Sequence, residues 1–102
     1  MTVYKKLVRD NIPDIIKSDG KSPTTHIASD EEYGKALVDK LREEVDEFRA
    51  SGEIEELVDI LEVIDAICKF RGIDKDKLQQ VRQDKVQQRG SFSKRIILDR
   101  VK

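Results

Sequence analysis

Residues 40–59 read KLREEVDEFRASGEIEELVD, two helix-forming segments on either side of a Ser51-Gly52 turn. Apolar residues recur at helical spacing before the turn and cover more than half of the helix after it. A two-residue turn between helices predicts an antiparallel hairpin, in which residues at equal height have numbers that sum to about 103.

This register brings four acidic residues to one place. Glu44 and Glu47 are three residues apart before the turn, and Glu56 and Asp59 are three apart after it, so each pair projects from one helical face. In the hairpin Glu47 then faces Glu56, and Glu44 faces Asp59. The sequence predicts a cluster of four carboxylates between the two helices.

Two of these acids interrupt apolar stripes, which favours a function for them. Glu44 stands where Leu37, Leu41 and Phe48 continue an apolar stripe, and Glu56 heads a similar line on the next helix. Four carboxylates in a half-buried groove lose hydration and repel one another, or else some of them stay protonated. A bound divalent cation removes that cost. Mg²⁺ prefers such oxygen ligands, and Mn²⁺ can substitute. The alternative is an exposed acidic face with basic neighbours and no metal.

Two further carboxylates lie close to the predicted cluster. Glu43 precedes Glu47 by one turn, at the edge of the groove, where a carboxylate can take a proton from an attacking water. A solvated surface role for Glu43 is the alternative. Glu62 follows Asp59 by one turn and is expected outside the cluster or paired with a base, with membership of the cluster as the second possibility.

Length and composition limit the possible size, core and location of the protein. The 102 residues are 37% apolar and 40% charged, which predicts a single domain over 1–102 with a thin core, completed in a homo-oligomer, either dimer or tetramer. Apolar runs are too short to cross a bilayer and Met1 precedes no signal pattern, so a cytoplasmic protein is expected. Cys68 and His26 are the single cysteine and histidine, and zinc therefore has no Cys/His set. Cys68 is expected in the core and His26 on the surface.

The pattern predicts an all-α protein, a four-helix bundle with a short extended C-terminal tail. The first helix is short and follows Asp10, its expected N-cap. The second runs from Ser29 or Asp30 to Ala50, the third from Glu53 to Arg71, and the fourth from Asp74 to Arg89. The third, apolar around most of its circumference, is expected in the middle of the bundle. The tail from Lys94 to Val101 is expected to be a strand or an extended arm.

Several segments together resemble a known family. They are YKKLVRDNIP at 4–13, KLREEVDE at 40–47, ELVD at 56–59, and a closing segment that begins RGSF at 89–92. They are similar to the small MazG-like, phosphoribosyl-ATP pyrophosphohydrolase-like proteins of the all-α nucleoside triphosphate pyrophosphohydrolase superfamily, whose signature is Glu-Glu-x-x-Glu followed by Glu-x-x-Asp. The resemblance covers nearly the whole chain. Only eight residues separate Glu47 from Glu56, fewer than in much of the superfamily. The substrates of relatives with a longer connection are therefore not assigned to this chain.

The resemblance implies an enzyme that uses Mg²⁺ to cleave a nucleoside triphosphate between the α and β phosphates. By motif position, the expected metal ligands are Glu44, Glu47, Glu56 and Asp59, and Glu43 resembles the residue that activates water. Basic side chains must bind the outer phosphates of such a substrate. The candidates are Lys5, Arg9, Arg89, Lys94 and Arg95, some of them donated across a subunit interface, with a solvated surface base as the alternative for each.

Other interpretations stay open at this point. The chain is alternatively a phosphoribosyl-ATP pyrophosphohydrolase or a non-catalytic helical oligomerisation module, whose stability Mg²⁺ would not change. Nucleic-acid binding by the basic segment 82–102 is a weaker idea, because its basic residues do not alternate with aromatic ones and it contains no recognised binding motif. Tyr4, Tyr33 and Phe92 are candidates to stack on a nucleobase, although scarce aromatic residues usually serve packing.

Overall fold

The structure is a computed structural model that describes residues 5–102, and this range contains four α-helices and no strand. Helix α1 is Ile12–Ser18, α2 is Asp30–Ser51, α3 is Ile54–Arg71 and α4 is Lys75–Arg89. Helices hold 63% of the described residues, which confirms the all-α four-helix fold. The tail forms no strand, because residues 95–102 have no regular secondary structure.

The chain forms two compact units. The first, Met1–Arg71, includes α1, α2 and α3, and the second, Gly72–Lys102, includes α4 and the tail. The predicted carboxylate cluster belongs entirely to the first unit. The expectation of a single domain over 1–102 stays a prediction.

The ends of α2 are set by local sequence. The Ser29 hydroxyl accepts a hydrogen bond from the Glu32 N–H at 3.2 Å, as an N-cap should. Gly52 has a left-handed backbone, φ +67°, and its N–H donates to the Phe48 carbonyl at 2.8 Å. Glycine adopts this conformation without a Cβ clash, which lets the chain reverse directly into α3.

The start of α1 differs from the sequence expectation. Its N-cap is Asn11, not Asp10, and the Asn11 side chain makes no capping hydrogen bond. Pro13 lies in the first turn, where the fixed φ of proline already suits a helix. The cap differs by a single residue, and helix boundaries shift easily by that much.

The core of the first unit lies between α2 and α3 and is thin. Leu37, Val63 and Cys68 are the buried apolar side chains of the described residues, so Cys68 is in the core as expected. Beyond them the rings of Tyr33 and Phe70 pack edge to face, with centroids 5.1 Å apart. Tyr33 therefore contributes to packing between the helices.

One face of α3 carries exposed apolar side chains. Ile54, Leu57, Val58 and Leu61, which share one helical face, are between 44% and 69% exposed. Within the first unit, α3 packs against α2. The central position in a bundle that its composition indicates stays a prediction. Among the described residues, no helix is both long and apolar enough to span a membrane.

Candidate metal centre

The hairpin brings the four predicted carboxylates together. One oxygen from each of Glu44, Glu47, Glu56 and Asp59 lies within 4.8 Å of the corresponding oxygens of the other three. The reversal at Gly52 fixes the register of α2 against α3, which is why residue spacing alone predicted the pairing. The four residues are called the carboxylate cluster below.

Glu44 is the buried member of the carboxylate cluster. Its side chain is 6% exposed, and its Oε1 accepts from the Lys40 ammonium at 3.3 Å. Its Oε2 is buried and has no hydrogen-bond partner among the described residues. A buried carboxylate oxygen without a partner is costly, and either a proton or a bound cation would remove that cost.

Burial is the main reason that the pKa of Glu44 lies above its ordinary value. The hydrogen bond from Lys40 acts in the opposite direction. The neighbouring Glu47 raises the pKa again, first through a side-chain hydrogen-bonding interaction between the two carboxyl groups and then through repulsion. The cluster thus has more negative charge than Lys40 neutralises. A proton and a divalent cation are the alternative ways to neutralise the remainder.

The carboxylate cluster is open on one side. Glu47 is exposed, while Glu56 and Asp59 are half-buried. Beside them lies a shallow, open groove of about 480 Å³ on the surface of α2. Its lining residues are Asp39, Arg42, Glu43, Asp46, Glu47 and Ala50. A ligand larger than a metal ion therefore has access to the cluster from the Glu47 side.

The segment before α1 brings bases to the carboxylate cluster. The Arg9 guanidinium donates to Asp59 Oδ1 at 2.5 Å, and the Lys6 ammonium lies 3.2 Å from Glu43 Oε1. Lys5, with a backbone φ of +48°, lines a small cavity together with Lys6 and Lys40. Of the predicted phosphate-binding residues, Arg9 and Lys5 are thus near the cluster.

Glu43 lies outside the carboxylate cluster, at its edge. It accepts from Lys6 at 3.2 Å and from Lys40 at 3.4 Å, and it lines the shallow groove beside Glu47. Glu62 is exposed and is not one of the four clustered carboxylates. This places Glu62 outside the cluster, as expected.

Three of the predicted bases belong to the second unit. Arg89 ends α4, Lys94 lies in a turn, and Arg95 has a positive φ of 60°. All three are exposed. Their predicted contact with phosphates stays a prediction.

The remaining candidates play no part in the described cluster. Tyr4 lies outside the described residues, and the Phe92 side chain is 98% exposed in the second unit. His26 lies in an exposed segment and its Nε2 pairs with Glu32 at 2.8 Å, which confirms the surface position expected for it.

Sequence reasoning missed Lys40 and Lys6. Lys40 precedes Glu43 by three residues and Glu44 by four, and this helical spacing was a usable signal for its two ion pairs. The contact of Lys6 with Glu43 joins residues 37 apart. It depends on the path of the N-terminal segment, which residue spacing does not reveal.

Comparison with known proteins adds little about this site. No protein-family model matches the chain. A protein of Mycolicibacterium smegmatis that is described as uncharacterized is 50% identical over 46 residues, which are 45% of this chain and 47% of that protein. The chain thus matches about half the length of this curated relative. No solved structure matches the chain.

Proposed function

We propose that the protein is a nucleotide pyrophosphohydrolase that requires Mg²⁺ and cleaves a nucleoside triphosphate between its α and β phosphates. The products are a nucleoside monophosphate and pyrophosphate. One observation carries the metal-binding part of the proposal. The buried Oε2 of Glu44 has no protein partner, although three further carboxylates lie within 4.8 Å.

The chemistry of the carboxylate cluster fits Mg²⁺. Its donors are all carboxylate oxygens, and Mg²⁺ is commonly held by carboxylates, water and substrate phosphates. Mn²⁺ has the same ligand preference. The exposed position of Glu47 leaves room for water and phosphate beside the ion. When bound, the metal supplies charge neutralisation and lowers the pKa of a water molecule.

The neighbouring residues have separate roles in this proposal. Glu43 accepts a proton from the attacking water, since it lies at the groove edge outside the carboxylate cluster. Lys40 holds Glu43 and Glu44 in place through its two ion pairs. Arg9 and Lys5 bind outer phosphates from the N-terminal side. Arg89, Lys94 and Arg95 are proposed to supply further charge, from the same chain or from another subunit.

A homo-oligomer is part of the proposal. The exposed apolar residues Ile54, Leu57, Val58 and Leu61 share one face of α3, and the single chain buries few apolar side chains. A second copy that presents the same face would cover both surfaces in a symmetric dimer. The same face also suits the alternative function, a non-catalytic oligomerisation module.

The experiment that tests the proposed activity is a panel of triphosphates assayed for pyrophosphate release with Mg²⁺. The panel includes canonical, deoxy and damaged nucleotides and phosphoribosyl-ATP, because the site does not define the base. We expect pyrophosphate release from at least one compound, and none when EDTA replaces Mg²⁺. Release of orthophosphate alone, or no release from any compound, would contradict the proposal.

A further inference from the structure

We propose that Arg9 exchanges partners during function: it neutralises Asp59 in the metal-free protein and binds a phosphate group of the substrate once a divalent cation occupies the carboxylate cluster. This inference rests on the proposed metal-binding function. It adds a direct coupling between metal binding and substrate binding, and it assigns that coupling to one residue.

The first step is the position of the Arg9 charge. Its Nη2 donates to Asp59 Oδ1 at 2.5 Å, and Asp59 is one of the four clustered carboxylates. Arg9 thus places a positive charge on one of the four carboxylates that would hold a metal ion. Two cations on the same carboxylate repel each other, so each weakens the binding of the other.

The second step is that Arg9 can leave. Its side chain is 53% exposed and that of Asp59 is 33% exposed, so water can replace either partner at small cost. Lys40 is different, because its side chain is only 16% exposed and it pairs with two carboxylates on its own helix. Arg9 is therefore the exchangeable base of the cluster and Lys40 the permanent one.

The third step is where the released guanidinium stays. The segment before Arg9 contacts α2 at more than one residue: Lys6 pairs with Glu43, and Lys6 and the half-buried Leu7 line a small cavity together with side chains of α2. Arg9 therefore remains close to the cluster after it leaves Asp59. Its planar set of donors matches a phosphate group, which it can bind through two parallel hydrogen bonds.

The first test measures metal affinity without any substrate. Mn²⁺ is titrated into the full-length protein and free Mn²⁺ is followed by electron paramagnetic resonance, for the wild type, Arg9→Gln and Lys69→Gln. Lys69 pairs with Asp65 at 3.0 Å on α3, outside the cluster, so Lys69→Gln removes the same charge without touching the cluster. We expect Arg9→Gln to lower the Kd for Mn²⁺ about two- to fivefold beyond this control. An unchanged or higher Kd would overturn the inference.

The second test measures phosphate binding at saturating Mn²⁺. Inorganic triphosphate is titrated calorimetrically into the same variants and into Arg9→Lys. We expect about tenfold weaker binding for Arg9→Gln than for the wild type, with partial recovery in Arg9→Lys, which restores the charge but not the planar donors. Equal affinity in Arg9→Gln and the wild type would overturn the exchange.

The two proposals fail in different ways. If the wild type shows no saturable Mn²⁺ binding, the proposed metal site is wrong, and the exchange is wrong with it. If the wild type binds Mn²⁺ and Arg9→Gln behaves like Lys69→Gln, only the exchange is wrong. Circular dichroism of each variant establishes that it is folded before either titration.

Discussion

The ammonium of Lys40 lies 3.3 Å from Glu44 Oε1, while Glu44 Oε2 is buried with no partner among the described residues. One oxygen of the buried carboxylate is thus paired with a base, and the other oxygen makes no hydrogen bond within the described residues. The Lys40 side chain is 16% exposed and the Glu44 side chain 6%, so water screens this pair poorly. The contact stabilises the hairpin and leaves one oxygen of Glu44 available for the cation that we propose.

Replacement of Lys40 by methionine should destabilise the metal-free protein. The change leaves the buried Glu44 charge without a counter-charge, and we expect the free energy of unfolding to fall by about 2–3 kcal/mol. Urea unfolding in the presence of EDTA measures this change in the free energy of unfolding. The control Lys69→Met, which breaks an exposed pair, should cost less than about 1 kcal/mol. Equal losses in the two variants would mean that burial of the Lys40 pair has no special effect.

Glu47→Gln should abolish turnover and leave the helical circular dichroism largely intact. Glu47 is an exposed member of the carboxylate cluster, so the change removes a proposed metal ligand without disturbing the core. The matched control is Glu55→Gln on α3, an exposed residue outside the cluster, which should retain activity. A fully active Glu47→Gln protein would count against the assignment of this site.

Divalent cations should raise the melting temperature of the wild-type protein. A ligand that binds only the native state adds about 2.7 kcal/mol at one hundred times its Kd, which corresponds to a shift of several degrees or more in a domain of this size. Thermal unfolding is compared with Mg²⁺, with Mn²⁺ and with EDTA. The oligomerisation-module hypothesis expects no difference among the three conditions.

Leu61→Asp should convert the proposed homo-oligomer to a monomer. Leu61 is 66% exposed on the apolar face of α3, and a charge placed there cannot be buried against a second copy without a partner. Sedimentation velocity measures the change. Ile27→Asp is the control, because Ile27 is 97% exposed in an irregular segment, outside the helices. A monomeric wild type would disprove the oligomer, and an unchanged oligomer in Leu61→Asp would exclude this face.

The carboxylate cluster was predictable because its geometry is local. Helical spacing on each side of Gly52 and a short turn determine which acids face one another, and sequence contains both. The contact of Arg9 with Asp59 joins residues 50 apart and depends on the route of an irregular segment. No helical or strand periodicity in the sequence indicates the path of this irregular segment. The Asn11 cap was missed for a smaller reason, since helix boundaries shift easily by a residue.

The measurement that bears most directly on the metal centre is calorimetric titration of Mn²⁺ into the wild type, Glu44→Gln and Asp46→Asn. Asp46 is an exposed acid on α2 outside the cluster, so its variant reports the effect of lost charge alone. We predict saturable binding to the wild type, similar binding to Asp46→Asn, and at least about tenfold weaker binding to Glu44→Gln. Equal binding to all three proteins, or no saturable binding to the wild type, would contradict the account.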